Sequence, residues 1–279
     1  MTTVDHGAPG AGDTDPGPGA RQRSVLRSVA VPTEHGGWGL TLEPALLGLF
    51  VAPSAAGTCL AASALIGFVA RTPLKVVLVD LSRHRRLERT SVAARVAAVE
   101  LAVLAALVVA AVLLAEGAFW WPALIAAPLV GIELWFDMRS RSRRLVPELA
   151  GAIGVSAVVA MIVLADRGSS ALAVGLWLVL AARVVTSIPF VRAQVASLHD
   201  RPSDARVLIV ADLSAVAVAV LAVVVDTQLT AGALAIAGVI VFQRLSARWP
   251  VPRAAVLGAR QTVLGATVVA VTALGVLAP

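Results

Sequence analysis

Cysteine is almost missing from this chain: Cys59 stands alone, which excludes an intramolecular disulfide and any Cys-based metal site. Lysine is as scarce, Lys75 alone against 22 arginines. Guanidinium groups are the better bidentate ligands for phosphate, so that bias suits an anionic ligand. Charged residues of all kinds amount to only 14% of the 279 residues, while 58% are hydrophobic. Soluble domains carry roughly 45–50% apolar residues. The chain contains no G-x-x-x-x-G-K-[ST], no G-x-S-x-G and no H-E-x-x-H string. ATP-driven pumping by this chain alone and the commoner membrane hydrolases are thereby excluded. No basic stripe is interleaved with aromatics, so nucleic acid is not expected as a partner despite a formal charge of +6. Residues 1–20 are Gly-, Pro- and Asp-rich without an apolar core, which predicts no cleavable signal peptide. A disordered cytoplasmic tail is expected over residues 1–30.

What the chain does have is nine long apolar runs, at about 37–53, 55–73, 92–115, 118–137, 146–165, 170–191, 206–225, 228–243 and 256–278. An apolar helix needs about 20 residues to cross the hydrocarbon, and most of these runs reach that length. The first and eighth are the shortest. All of the Lys and Arg residues except Arg167 fall in the leading segment, in the even-to-odd connections, or at helix ends beside them. Cytoplasmic loops are the ones enriched in these residues, so the pattern predicts an all-α bundle of nine transmembrane helices, N-terminus inside and C-terminus outside. The 71–91 connection, RTPLKVVLVDLSRHRRLERTS, reads as an amphipathic interfacial helix.

Two four-helix halves, about 37–137 and 146–243, followed by a ninth helix at 256–278, are a further expectation. A shift of 112 residues lays Arg71 on Arg183 and Glu100 on Asp212.

Ionisable groups inside a bilayer cost a few kcal/mol and should face a partner or a water-filled cavity. Glu43, Glu100, Glu133, Arg183 and Asp212 each lie about one to two turns from the inner end of their run. They predict a polar layer and an inward-opening pocket, lined by Glu43, Arg71, Glu100, Arg183 and Asp212. Structural pairing of Arg183 with Asp212 or Glu100 is the plainer alternative. In the entry VPTEHGGWGLTLEP, Glu34, His35 and Glu43 are candidates for acid–base work, as are Glu100 and Asp212 deeper in the membrane. Arg71 and Lys75, four apart on one helix face, suit a phosphate or diphosphate, as do Arg183 and Arg192. Asp80, Glu133 and Asp137 are the candidate ligands for a divalent cation, magnesium above all.

The string P-x-E-H-G-x-W, here Pro32, Glu34, His35, Gly36 and Trp38, resembles the opening of the YwiC-like family of bacterial integral membrane proteins. Arg71-x-Pro73 fits the same family, and the resemblance extends over about residues 31–278. The chain is similar, more distantly, to the UbiA superfamily of intramembrane prenyltransferases. The likeness lies in the nine helices, the inside N-terminus and a basic turn followed by Pro and Gly (Arg143, Arg144, Pro147, Gly151). That similarity implies aspartates after helices 2 and 6 holding magnesium-diphosphate, and a lipid-facing groove for an isoprenoid tail. Here the first region has only Asp80 and the second only Asp200 and Asp204.

The expectation is a multi-pass protein of the cytoplasmic membrane, in contact with membrane lipids, that binds or transfers a lipid or prenyl diphosphate. The alternative is a transporter or accessory protein whose carboxylates couple protons or cations.

Overall fold

The computed structural model describes residues 35–84, 87–139 and 144–278, without the side chains of residues 35–37 and 88. Every regular element among them is helical: α1 His35–Val51, α2 Ala55–Ser82, α3 Glu88–Leu114, α4 Trp121–Met138, α5 Leu145–Ser156, α6 Val158–Ala165, α7 Ser170–Ser197, α8 Ala205–Val225, α9 Thr230–Ser246 and α10 Ala254–Leu277. A single 3-10 turn, Thr227–Leu229, precedes α9. Counting α5 and α6 as one, eight of the helices are long and apolar enough to cross a membrane. The ninth, α1, has 17 residues. At 1.5 Å per residue that is about 25 Å, slightly short of a hydrocarbon layer of about 30 Å.

The second and sixth apolar runs end later than their hydropathy predicts. Both α2 and α7 are 28 residues long and pass through internal prolines, Pro73 and Pro189. Arg71 to Ser82 therefore continues the transmembrane helix instead of forming a separate interfacial one. The fifth run is instead divided at Ala157. There the Ser156 hydroxyl donates to the Ala152 carbonyl at 2.7 Å, a back-bond that bends helices.

Packing depends on small residues, as expected where lipid tails are as apolar as leucine and only close approach separates helix from lipid. The centre is α6 with α7: Val159, Ile162, Val163, Leu176 and Val179 are fully buried. A Cβ on Gly48 of α1 would stand 2.9 Å from Ile162, and one on Gly57 of α2 would stand 2.8 Å from it. Those two glycines let three helices converge. An alanine stripe (Ala211, Ala215, Ala219, Ala222) is the buried edge of α8. By contrast α3 packs chiefly on α2 and turns Val99, Val109, Val112 and Leu113 outward, a lipid-facing perimeter.

The two ends of the bundle differ in chemistry. At one end the connections are short and side chains close them: Ser54 accepts from Gly57 N–H at 3.0 Å, and Ser169 accepts from Leu172 N–H at 3.1 Å. Arg167 pairs with Glu116 at this end. The other end carries the remaining described ion pairs or lies nearer to them.

Between α2 and α3, buried Asp80 takes bonds from Thr90 Oγ1 at 2.7 Å and from Arg89 Nη2 at 3.1 Å. Thr90 Oγ1 also accepts from Leu87 N–H, so one carboxylate fixes the whole turn. Asp80→Ala should lower the unfolding temperature in detergent, at a cost of about 1.5–3 kcal/mol for a charge-assisted bond, without altering ligand affinity. A thermal melt unchanged from the parent would remove Asp80 from this structural role.

Candidate functional site

The ionisable side chains within the bundle fall into two clusters instead of one ring. The first joins α2 to α4. Arg71 and Lys75, one turn apart, face Glu133 and Asp137, also one turn apart. Arg71 Nη2 lies 2.8 Å from Glu133 Oε1 and 2.8 Å from Asp137 Oδ2, and Arg71 Nε donates to the same Asp137 oxygen at 2.9 Å. Lys75 Nζ donates to the other oxygen of Asp137 at 3.2 Å. Asp137 is buried, its side chain only 3% exposed, whereas Arg71 and Lys75 are 27% and 37% exposed. The carboxylates are thus the floor and the cations the open side. Glu133 fits because of Gly151 in α5: a Cβ there would overlap the Glu133 carboxylate.

The second cluster is deeper and ties five helices together. Arg183 of α7, 2% exposed, lies 3.7 Å from Glu43 Oε1 of α1. Its Nη2 donates to the Gln261 carbonyl of α10 at 2.8 Å, and its Nη1 donates to Ser187 one turn on. Gln243 of α9 donates to Ser187 at 3.1 Å, and its Oε1 lies 3.2 Å from Thr186 Oγ1, sharing that hydroxyl's single proton with Asp212. Thr186 donates to Asp212 of α8 at 2.7 Å, and Arg244 Nε donates to the same carboxylate at 2.6 Å. A chain of polar contacts therefore runs from Glu43 through Arg183, Ser187, Gln243 and Thr186 to Asp212 and Arg244. Arg183 Nε and Gln261 Oε1 are buried and lack a hydrogen-bond partner among the described residues. The room for Glu43 comes again from glycine, since a Cβ on Gly265 would overlap its carboxylate.

Of the five side chains expected to line one pocket, the structure brings Glu43 and Arg183 into contact and links Asp212 to them through Thr186, Ser187 and Gln243. Arg183 does not pair directly with Asp212 or Glu100. Arg71 belongs to the other cluster, and Glu100 stands on the perimeter helix α3, its buried Oε2 without a described partner. Arg192 pairs with Glu148 of α5 at 2.8 Å. Asp80 is held by Arg89 and Thr90, apart from Glu133 and Asp137. Asp204 caps α8 by accepting from Arg206 N–H at 2.9 Å. Glu34 and the side chain of His35 lie outside the described residues. Trp38 packs edge-on against Phe68, ring centres 5.0 Å apart.

Arg244, Gln243, Gln261, Glu148 and Gly265 were not singled out from sequence. Arg244 carries a signal: the eighth apolar run ends at 243, and the helix continues past it through Arg244, which meets Asp212. Gln261 and Gly265 carried none, because a single amide or glycine in an apolar helix is unremarkable until its neighbour is known.

No group of three or more His, Cys, Asp or Glu residues suited to a metal occurs among the described residues. Magnesium, however, is usually held through one or two carboxylates together with phosphate oxygens and water. Glu133 and Asp137, already sharing one cationic nitrogen, are a donor set of that kind. They fit such an ion better than the three-carboxylate group with Asp80 does.

Gly265→Ala should displace Glu43 from Arg183 and destabilise the bundle by about 1–3 kcal/mol, the usual cost of overpacking. Gly258→Ala on the same helix, where a Cβ meets nothing within 4 Å, is the control and should melt like the parent. Equal melting temperatures for the two variants would contradict the close approach of α10 to Glu43.

No curated protein and no solved structure matches the chain. A family model described as YwiC-like protein matches residues 31–163, from ahead of α1 into α6. That match takes in Glu43, Arg71, Lys75, Glu133 and Asp137 but stops short of Arg183, Arg192 and Asp212. Over residues 31–163, then, this multi-pass membrane protein is similar to the YwiC-like family.

Proposed function

We propose that this chain is a nine-span, UbiA-like bundle of the cytoplasmic membrane that binds the head of a lipid or prenyl diphosphate at Arg71, Lys75, Glu133 and Asp137. The N-terminus is inside and the C-terminus outside in this reading. The observation that carries it is the Arg71 guanidinium bridging Glu133 and Asp137, with Lys75 on the same aspartate, at the helix ends where the loops are basic.

Among the described residues, two cations opposite two carboxylates balance in charge, which avoids the cost of unpaired charge near hydrocarbon. A magnesium-diphosphate head exchanges those partners without leaving any charge unmatched. Arg71 and Lys75, on the open side, turn to phosphate oxygens. Glu133 and Asp137, on the floor, would hold the metal, which when bound supplies charge neutralisation of the diphosphate. The exposed apolar sides of α3 and α4 give an isoprenoid tail a path in the lipid. In the deeper cluster Glu43 and Arg183 are paired and buried, while Arg244 at its far end is 40% exposed beside Asp212. The cluster is assigned to holding α1, α7, α8, α9 and α10 in register.

In purified protein, farnesyl diphosphate should bind in magnesium and be lost on chelation. An Arg71→Ala, Lys75→Ala double variant should bind at least about tenfold more weakly, the equivalent of one charge-assisted hydrogen bond. A folded double variant with the parent's affinity, or binding indifferent to magnesium, would overturn the assignment.

Orientation has its own check. In a Cys59→Ala background, a cysteine at Ser169 should react with an impermeant maleimide on intact cells, and one at Ser82 only after lysis. The reverse labelling would invert the topology.

A further inference from the structure

Where α9 turns into α10, we propose a second site, a seat for the head group of an anionic phospholipid. It depends on α9 and α10 crossing the membrane and not on the diphosphate assignment at α2 and α4.

The connection reads Ala-Arg-Trp-Pro-Val-Pro-Arg over residues 247–253. Arg248 and Arg253 are exposed, and Arg260, seven residues beyond Arg253, lies on the same side of α10, two turns deeper. Elsewhere Arg71, Arg89, Arg183, Arg192 and Arg244 each face a carboxylate. Arg248, Arg253 and Arg260 have no ion pair among the described residues. Three cations are thus gathered within thirteen residues with nothing described to neutralise them.

Their surroundings are those of a bilayer boundary. Trp249 is half exposed, stands edge-on to Phe242 with ring centres 6.1 Å apart, and has the Arg260 guanidinium 5.7 Å from its ring centre. Indole rings prefer the headgroup level, where one edge is wet and the body is apolar. Val241 and Leu245 before the turn, and Val256 and Val263 after it, are exposed and face lipid. Trp249 therefore sets the depth of the turn: Arg248 and Arg253 lie level with lipid phosphates, and Arg260, based two turns deeper, extends its guanidinium up to the Trp249 ring.

No side chain caps the first turn of α10, whose backbone N–H groups and positive dipole end lie beside Arg253. A shallow recess of about 10 Å³, room for a single water, adjoins Arg260 between Phe190, Phe242, Leu257, Gln194, Ser246 and Gln261. Gln261 Oε1 is a buried acceptor that no described group satisfies. A phosphate between Arg253 and Arg260 would accept from both arginines and from the open helix end, and its acyl chains would run down past Leu245 and Val263.

The test uses the full-length protein in detergent, with retained lipid read by native mass spectrometry. Phosphatidylglycerol and phosphatidylcholine are offered in equal amounts, with and without added inorganic phosphate. Two variants remove the same charge: Arg253→Gln with Arg260→Gln at the seat, and Arg201→Gln with Arg206→Gln at the exposed start of α8 and the connection before it. The parent and the second variant should retain phosphatidylglycerol over phosphatidylcholine by about tenfold, and the first variant should retain both equally. Circular dichroism and a thermal melt confirm that each variant is folded. Equal retention of the two lipids by the parent would overturn the proposal. So would equal loss in both variants, which indicates net charge alone, or full displacement by inorganic phosphate, which indicates a free-anion site.

Discussion

An ion in hydrocarbon costs a few kcal/mol even on lenient insertion scales, and it must recover that cost from a partner on another helix. The arrangement of this bundle follows from that requirement. Glu43 needs Arg183, so α1 must lie against α7; Asp212 needs Arg244 and Thr186, so α8, α9 and α7 must meet at one level. Glu133 and Asp137 need Arg71, which fixes the C-terminal end of α4 against α2. Because lipid and leucine are equally apolar, hydrophobic burial alone would leave these neighbours free to exchange. The ion pairs specify which helix adjoins which, and glycines supply the closeness. Gly151 and Gly265 are placed where a Cβ would occupy the space of a partner helix's carboxylate.

Much of the helical layout was legible because the physical signal is strong and local. Apolar runs of 20 residues have few alternatives, and the eight longer spans fall close to where hydropathy places them. What composition could not convey was where a helix continues beyond the hydrocarbon. Arg71, Lys75 and Asp80 lower the hydropathy of α2 before its backbone ends, and Pro73 is absorbed without a break in the helix. The division at Ala157 was equally hidden, since Ser156 gives no sign in sequence of whether its hydroxyl will turn back on the helix.

The candidate site was legible in its residue types and not in its pairing. That Glu133 and Asp137 share a face, and Arg71 and Lys75 another, follows from helical spacing; that the two faces meet does not, because 62 or more positions separate them. A 112-residue shift lays Arg71 on Arg183 in sequence, but their surroundings differ: Arg71 is partly open at the bundle's end and shared by two carboxylates, while Arg183 is sealed inside beside one.

The claim that carries most weight is that the sealed pair is held by mutual compensation. A double-mutant cycle on Glu43→Gln and Arg183→Gln, followed by unfolding in detergent, measures it directly. Each single change should cost about 3–5 kcal/mol by stranding the opposite charge, and the double variant should recover a large part of that loss. Strictly additive costs would mean that the two groups do not depend on each other, and the account of how the helices find their neighbours would fail.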